Sequence, residues 1–267
     1  MEKVDFSVLA EKYEEMAFAQ KTAAEILLSL MDLKGYEDVL DLGCGTGMLT
    51  RRIREMTSGR VVGIDPSLGM IKEAIEKSRG FNIIYEVKSA EEMDYDEEFD
   101  VIICNSVMQW FRDPDKALEN CYRALRPGGR IGVQATAKKI YCPNFVEAVE
   151  RVRKDERTRS VFAHFREPWF FLESEEEYVL FFERHGFKVV FSDMRALTSE
   201  HTPDEVFKIF SSGAMAGYLN QDYYDVPLTE DYISAFNEIV KEEFRKQAGS
   251  DGKVKLTFNR VFIIAVK

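Results

Sequence analysis

The sequence has fewer basic than acidic residues and no long apolar run, and each of these features excludes a class of partner. Its 267 residues include 36 lysines and arginines against 47 aspartates and glutamates, a formal charge of −11. Nucleic-acid binding requires a basic surface, so such an acidic chain is not expected to bind nucleic acid. No run reaches the ~20 apolar residues of a membrane-spanning helix. We therefore expect neither a nucleic-acid nor a membrane partner.

Histidines and cysteines are also few, three and four respectively, and none is spaced as a metal site requires. The cysteines form no Cys-x-x-Cys pair and do not cluster with histidine, so no bound metal is expected. Reduced, partly buried thiols and the lack of a signal-peptide pattern indicate a cytoplasmic protein. The oligomeric state stays open between monomer and dimer.

Short apolar runs alternate with amphipathic segments between residues 36 and 136. The runs rich in valine and isoleucine predict strands, and the segments between them predict helices. Strands separated by helices indicate crossover connections, and therefore an α/β protein whose parallel sheet has helices on both faces. The predicted strands are YEDVLDL, RVVGID, NIIYEV, FDVIICN and RIGVQAT.

The rest of the chain is predicted to be mostly helical. Residues 1–35 begin with a helical pattern, and 137–250 combine helices with a sixth strand in GFKVVFSDMRAL. Residues 253–267 predict the final strand. Because no internal repeat or low-complexity linker interrupts the sequence, we expect residues 1–267 to form a single domain with added helices.

The segment VLDLGCGTGMLTRRI places three glycines between a predicted strand and a predicted helix. Glycine tolerates positive φ and has no side chain to block a ligand, so such a turn is typical of nucleotide sites. Dinucleotides and S-adenosylmethionine both bind at turns of this kind. The dinucleotide fingerprint G-x-G-x-x-G would place its third glycine where this chain has Met48.

Two acidic residues stand at the ends of consecutive predicted strands, Asp41 and Asp65. Asp65 can accept both ribose hydroxyls, a contact that nicotinamide enzymes also make. Asp41 would repel a pyrophosphate but attract a cationic amino group, which methionine supplies. The turn therefore favours S-adenosylmethionine, and a nicotinamide oxidoreductase is the less favoured enzyme alternative.

Several motifs occur in order: VLDLGCGTG, VVGIDPSLGMI and FDVIICNSVMQWFRDPDKALENCYRALRPGGRIGV. Over about residues 36–136 they resemble the class I S-adenosylmethionine-dependent methyltransferases. The resemblance implies a Rossmann-like sheet of seven strands, mostly parallel with the last strand antiparallel. It also implies S-adenosylmethionine as cofactor, S-adenosylhomocysteine as product, a helical lid over residues 1–35 and a substrate-binding helical cap over 137–250.

The resemblance carries cofactor roles onto individual positions. It assigns Asp65 to the ribose, and Pro66 and Met70 to the adenine. The residues that it assigns to the methionine portion are Asp41, Gly43, Cys44, Gly45 and Asn105. Ser89 replaces the aspartate that such proteins often have, so its hydroxyl or the backbone would contact the adenine. The predicted cofactor residues are Tyr13, Gln20, Asp41, Gly43, Cys44, Gly45, Asp65, Pro66, Met70, Ser89, Ala90, Glu91 and Asn105.

The loop NSVMQWF and the amino-terminal helix resemble those of trans-aconitate, juvenile hormone acid and malonyl-carrier-protein methyltransferases. Gln109 and Trp110 in this loop are the predicted catalytic residues, and Gln109 is expected to orient the methyl acceptor. An ionised carboxylate needs no general base, and the loop offers none. We therefore expect a small-molecule acceptor, with methyl ester formation on a carboxylate preferred.

Phenol, quinone and amine acceptors remain alternatives, because acceptor chemistry varies on one fold. A non-catalytic cofactor-binding regulator is an alternative of another class. For the acceptor itself, Arg166 is the predicted carboxylate ligand, since arginine binds carboxylates bidentately. His164 and Trp169, its neighbours in HFREPWFF, are the other predicted substrate residues.

Overall fold

The computed structural model describes the backbone of residues 18–267 and the side chains of residues 23–267. The described residues divide into two compact units. The sheet unit comprises 18–139, 169–195 and 260–267, and the helical unit comprises 140–168 and 196–259. The expectation of a single domain over residues 1–267 stays a prediction.

Seven strands form one sheet. They are β1 (Val39–Leu42), β2 (Val61–Asp65), β3 (Ile84–Val87), β4 (Phe99–Asn105), β5 (Leu125–Thr136), β6 (Lys188–His201) and β7 (Val254–Val266). Their order is β3-β2-β1-β4-β5-β7-β6. The pairs from β3 to β5 are parallel, whereas β5 and β7 are antiparallel. The predicted fold class, a mostly parallel seven-stranded sheet with an antiparallel last strand, is confirmed.

Helices connect the strands and cover the sheet. In the sheet unit they are α1 (Phe18–Met31), α2 (Met48–Met56), α3 (Leu68–Lys77), α4 (Pro114–Ala124) and α7 (Glu175–Glu183), with a 3-10 turn at Met108–Trp110. In the helical unit they are α5 (Pro143–Lys154), α6 (Arg159–Phe162), α8 (Pro203–Ser211), α9 (Met215–Tyr218) and α10 (Glu230–Lys246), with a 3-10 turn at Gln221–Tyr223. None of the helices in the described part of the chain is long and apolar enough to cross a membrane.

The central strands bury side chains on both faces, which explains why they read as continuous apolar runs. Successive side chains alternate between the two faces. Leu40 and Ile102 pack into the cluster that contains α4 and α7, whereas Val39 and Val101 pack into the cluster that contains α1 and Ile53 of α2. Both faces are therefore covered by helices, as the sequence predicts.

The segment RPGGR, residues 126–130, has the proline and glycines typical of a turn, and it interrupts the pairing of β5 with β4. Leu125 pairs with Phe99 of β4, but the next paired residue, Arg130, is opposite Val101. The intervening proline and glycines are therefore accommodated as extra residues on β5. The strand then continues to its carboxyl end, next to β4.

The helical unit has an aromatic core of its own. Phe145 of α5 packs against Phe210 of α8 at 5.0 Å between ring centroids and against Phe244 of α10 at 5.7 Å. Phe162 is also buried and lies 5.4 Å from Phe165. Phe145, Phe162, Phe210 and Phe244 are therefore core residues of the helical unit.

Candidate cofactor site

The glycine turn between β1 and α2 is shaped by its neighbours within the protein. Gly43, Gly45 and Gly47 have φ values of 74°, 53° and 75°, where side chains are disfavoured. A Cβ on Gly43 would lie 2.3 Å from a methyl of Val107, and one on Gly47 would lie 2.4 Å from the Tyr85 hydroxyl oxygen. Two of the three glycines are therefore required by protein packing, a reason that the sequence pattern does not reveal.

Asp65, at the carboxyl end of β2, fixes this turn from the adjacent strand. Its Oδ2 accepts a hydrogen bond from the Gly45 N–H at 3.0 Å, and its Oδ1 accepts one from the Ser67 N–H at 2.9 Å. Ser67, rather than Asp65, caps α3 by accepting from the Met70 N–H at 3.3 Å. Because each carboxylate oxygen has two lone pairs, Asp65 keeps the capacity to accept ribose hydroxyls.

Asp41, in β1, is a buried acid on the other side of the turn. The Thr50 hydroxyl donates to Asp41 Oδ2 at 2.6 Å, and Oδ1 accepts no hydrogen bond from the residues that the structure describes. Burial raises the Asp41 pKa to about 7; the Thr50 hydrogen bond opposes that rise, and the charge of Asp65 adds to it. A cation next to Asp41 would therefore favour its ionised form.

A cavity of about 380 Å³ opens over the turn, within the sheet unit. Its lining includes five of the predicted cofactor residues, and also Ser106, which follows Asn105. It also includes a face of α2 at helical spacing and two residues of α1, which the sequence analysis missed. The lining residues are Ala24, Glu25, Asp41, Gly43, Cys44, Gly45, Thr46, Met48, Leu49, Arg51, Arg52, Glu55, Asn105 and Ser106.

Cys44 contributes a thiol to the cavity wall. Burial, together with the charges of Asp65 and Asp41, raises its pKa well above the ordinary value. The thiol is therefore protonated near neutral pH and offers a neutral surface rather than a nucleophile.

The residues predicted to hold the adenosine lie outside this lining. Met70 is 2 % exposed in α3. Pro66 precedes the Ser67 cap and is partly exposed. The Ser89 hydroxyl donates to Glu92 Oε2 at 3.0 Å, so its lone pairs stay available to an adenine amino group.

Ala90 and Glu91 have structural contacts in addition to their predicted cofactor role. The Ala90 carbonyl accepts from the Asn120 side chain at 3.0 Å, which ties this loop to α4. Glu91 Oε1 accepts from the Arg112 N–H at 2.9 Å, which fixes the start of the segment leading into that helix. Their roles toward the cofactor stay predictions.

The end of β4 and the loop after it contain two buried amide oxygens without a hydrogen-bond partner among the described residues. Ser106 has a φ of 59°, and its hydroxyl donates to Gln134 Oε1 at 2.9 Å. The Gln109 side-chain nitrogen donates to the Ser106 carbonyl at 2.8 Å. Asn105 Oδ1 and Gln109 Oε1 accept no hydrogen bond from the described residues. These two oxygens are therefore free to accept from a ligand.

Trp110, the other predicted catalytic residue, packs against Trp169, a predicted substrate residue. The ring centroids are 5.8 Å apart in an edge-to-face arrangement. The Phe170 N–H also donates to the Gln109 carbonyl at 2.9 Å. The sheet unit therefore brings residues 109–110 together with residues 169–170, although they are distant in sequence.

His164 and Arg166 belong to the helical unit. Nδ1 of His164 lies 2.7 Å from Asp225 Oδ1, and both side chains are exposed. Arg166 is exposed, and its N–H donates to the Tyr223 carbonyl at 2.9 Å. Tyr13 lies outside the described residues, and Gln20 lies in α1, in a stretch whose side chains are not described.

Comparison with known proteins gives the same classification as the motifs. Residues 39–129 match the family described as methyltransferase domain. The chain is 32% identical over 130 residues to malonyl-[acyl-carrier protein] O-methyltransferase of Acetivibrio thermocellus, which covers 48% of this chain and 46% of the relative. It is 27% identical over 270 residues to trans-aconitate 2-methyltransferase of Rhodopseudomonas palustris, covering 97% of this chain and 98% of the relative. The match thus spans about half the length of the malonyl relative.

Solved structures share the fold. The YcgJ protein of Bacillus subtilis has a TM-score of 0.62 at 17% identity, covering 92% of this chain and 98% of that chain. Phosphoethanolamine N-methyltransferase 2 of Haemonchus contortus, solved with S-adenosyl-L-methionine, has a TM-score of 0.54 at 20% identity, covering 92% and 52%. At these identities the likeness establishes the fold alone. The match to the methyltransferase domain covers residues 39–129, from β1 into β5.

Proposed function

We propose that the protein is an S-adenosylmethionine-dependent methyltransferase that acts on a small molecule. The observation that supports this most directly is the cavity of about 380 Å³ over the glycine turn, with the buried carboxylate of Asp41 in its wall. A buried acid that stands beside an open cavity suits a cationic ligand group. The α-ammonium of methionine is such a group, and Asp65 at the next strand end suits the ribose.

The chemistry requires little from the chain's own residues. The cofactor supplies an activated methyl group when bound, and the protein must orient the acceptor and exclude water. Asn105, at the carboxyl end of β4, and Gln109, in the following loop, have unpartnered amide oxygens that can accept from a donor group of a ligand. An ionised carboxylate has no proton to donate, so it would have to accept from the Gln109 side-chain nitrogen instead. The paired Trp110 and Trp169 rings would provide an apolar wall on that side.

We further propose a carboxylate oxygen as the methyl acceptor. The names of two relatives specify acid-bearing substrates, trans-aconitate and a malonyl group on a carrier protein. In this proposal Arg166 and His164 hold the acid. The absence of an acid–base residue from the predicted loop, NSVMQWF, supports an acceptor that is already ionised.

The experiment that tests the cofactor proposal is calorimetric titration of the purified protein with S-adenosylhomocysteine, with NADH as the competing ligand. We expect binding of S-adenosylhomocysteine and none of NADH. Asp65→Asn should weaken the binding by about 1–3 kcal/mol, because a charged hydrogen-bond acceptor is lost. No binding by the native protein would refute the proposal.

Asp38→Asn is the matched control. Asp38 lies just before β1, at the opposite end of the strand from the glycine turn. Its carboxylate accepts hydrogen bonds from the Arg60 N–H at 2.7 Å and from the Arg126 guanidinium at 2.8 Å. Its replacement should lower stability and leave S-adenosylhomocysteine affinity unchanged. If both variants lose affinity equally, the Asp65 effect is a general loss of structure rather than a lost ribose contact.

Methyl uptake by a panel of small acids, phenols and amines tests the acceptor. We expect an acid to be methylated and Arg166→Lys to raise its KM, because lysine cannot bind a carboxylate bidentately. Methylation of phenols or amines alone would replace the carboxylate proposal. Cofactor binding without any acceptor would favour the regulator alternative.

A further inference from the structure

Ser106 has a backbone conformation that serine rarely adopts, at the point where the chain leaves β4. Its φ of 59° lies in the left-handed region, which is unfavourable for a residue that has a Cβ. Such a conformation persists only where the surrounding structure holds it in place. Ser106 and the preceding residue, Asn105, both line the cavity over the glycine turn. The groups that hold Ser106 therefore bear directly on the candidate cofactor site.

Two glutamines bind all three polar groups of Ser106. The Ser106 N–H donates to the Gln134 carbonyl at 2.7 Å, and the Ser106 hydroxyl donates to Gln134 Oε1 at 2.9 Å. The Ser106 carbonyl accepts from the Gln109 side-chain nitrogen at 2.8 Å. Gln134 is opposite Asn105 in the pairing of β5 with β4, so the sheet fixes its backbone. We call these three hydrogen bonds the Ser106 clamp.

The side chain of Gln134 serves the clamp at a cost to its own hydrogen bonding. It is 0 % exposed, and its Nε2 has no hydrogen-bond partner among the side chains and backbone described for residues 23–267. A buried amide donor without a partner is unfavourable, and an unbranched methionine would fill similar space without that donor. Over the same residues, the side chain makes one hydrogen bond, with the Ser106 hydroxyl. Holding that hydroxyl is therefore what an amide contributes at position 134.

The clamp determines how the two neighbours of Ser106 are oriented. Asn105 Oδ1 accepts no hydrogen bond from the described part of the chain, so its position depends on the backbone that carries it. Val107 packs against the glycine turn, since a Cβ on Gly43 would lie 2.3 Å from one of its methyl groups. A change of φ at Ser106 would rotate Val107 relative to Asn105. The clamp therefore sets the end of β4 against the glycine turn.

We propose that Gln134 is a positioning residue for the cofactor, which acts through Ser106. It holds Ser106 in the left-handed conformation, and that conformation keeps Asn105 and Val107 in place beside the cavity. Without the clamp, Ser106 would relax, and binding would have to restore the conformation, so the apparent affinity would fall. The inference rests on the proposed cofactor binding, although the conformation of Ser106 can be measured in the free protein.

The test first compares two replacements of Ser106. Ser106→Ala and Ser106→Gly both remove the hydroxyl, but only glycine adopts a positive φ without a penalty. The affinity for S-adenosylhomocysteine should fall about tenfold in Ser106→Ala, and it should stay within about twofold of the native value in Ser106→Gly. Equal losses in the two variants would show that the hydroxyl contacts the ligand itself, which would overturn the inference.

The second comparison concerns Gln134. Gln134→Met should lower the affinity for S-adenosylhomocysteine as Ser106→Ala does, and adding Ser106→Gly should restore most of it. Glu97→Gly is the matched control, because Glu97 also has a positive φ, 51°, but lies exposed before the opposite end of β4. Added to Gln134→Met, Glu97→Gly should restore nothing. Native affinity in Gln134→Met, or equal recovery with either glycine, would contradict the positioning role.

NMR separates this inference from the proposed function. In cofactor-free protein, the backbone carbon chemical shifts of residue 106 should leave the left-handed range in Gln134→Met and in Ser106→Ala. Shifts that stay in that range in both variants would show that the clamp does not hold the conformation. If Gln134→Met does not fold, the two Ser106 variants decide alone. If the native protein binds no S-adenosylhomocysteine, the proposed function fails, whereas the chemical shifts still judge the clamp.

Discussion

Lowering the pH through 7 should weaken the binding of S-adenosylhomocysteine to the native protein. The relevant group is Asp41, whose pKa is raised to about 7, mainly by burial. The ligand's ammonium favours the ionised carboxylate and must therefore displace a proton when Asp41 is protonated. Because the amine of the ligand is protonated throughout the range from pH 6 to 8, the titration of Asp41 controls the change.

The magnitude follows from the fraction of Asp41 that is ionised. With a pKa of about 7, roughly nine-tenths is ionised at pH 8 and roughly one-tenth at pH 6. The affinity should therefore fall about tenfold between these values, equivalent to about 1.4 kcal/mol. Below pH 6 it should continue to fall about tenfold for each pH unit, until other groups titrate.

Isothermal titration calorimetry in two buffers of different ionisation enthalpy measures both the affinity and the protons released. At pH 6 we expect roughly 0.9 proton released for each ligand bound, and close to none at pH 8. Asp41→Asn should bind weakly at both values with no proton release, because it has nothing to titrate. An affinity that is constant across the range in the native protein, or an unchanged pH dependence in Asp41→Asn, would refute this account of the site.

Two further predictions concern stability and are measured by urea unfolding. Gly47→Ala should lower the free energy of unfolding by about 1–3 kcal/mol, because its methyl would collide with Tyr85. Gly80 has a φ of 90° and open space around it, so Gly80→Ala should lower the free energy of unfolding by only about 1 kcal/mol. Equal losses in the two variants would show that the collision with Tyr85 does not matter. Arg130→Gln should cost about 3 kcal/mol at pH 7, because it leaves the buried Glu37 without its ion pair at 2.6 Å. Burial alone would raise the Glu37 pKa, but hydrogen bonds from Arg130 and the backbone lower it. The loss of stability caused by Arg130→Gln should therefore shrink as the pH falls through the acid range in which Glu37 becomes protonated. A loss that does not change with pH would contradict this.

The sheet could be predicted because its central strands are buried on both faces and are therefore continuous apolar runs. FDVIICN is the clearest case, since it becomes β4 with Val101 and Ile102 packed into clusters on opposite faces. The irregular pairing of β5 could not be predicted from RPGGR alone. Proline and two glycines signal a departure from regular geometry, but only the neighbouring strand decides whether that departure is a turn or extra residues within a strand.

The strand-end acids could also be located from the sequence, because consecutive parallel strands end at the same edge of a sheet. Asp41 and Asp65 accordingly lie on either side of the glycine turn, close enough for the charge of Asp65 to raise the pKa of Asp41. The cavity face of α2 was missed, although Met48, Arg52 and Glu55 recur at helical spacing directly after the turn. That spacing was the available signal.

The reason for the third glycine illustrates the limit of local reasoning. A glycine at position 47 is compatible with a ligand above the turn and with a side chain behind it, and its φ of 75° fits both. Tyr85 is far from Gly47 in sequence. The first and last residues of β3, Ile84 and Val87, are both exposed, so the strand lacks the alternation of buried and exposed residues that would mark Tyr85 as facing inward. Only the pairing of β2 with β3 brings the Tyr85 ring to Gly47 and Gly63. The glycine spacing that points to a cofactor is thus also a packing requirement, and substitutions at Tyr85 can separate the two.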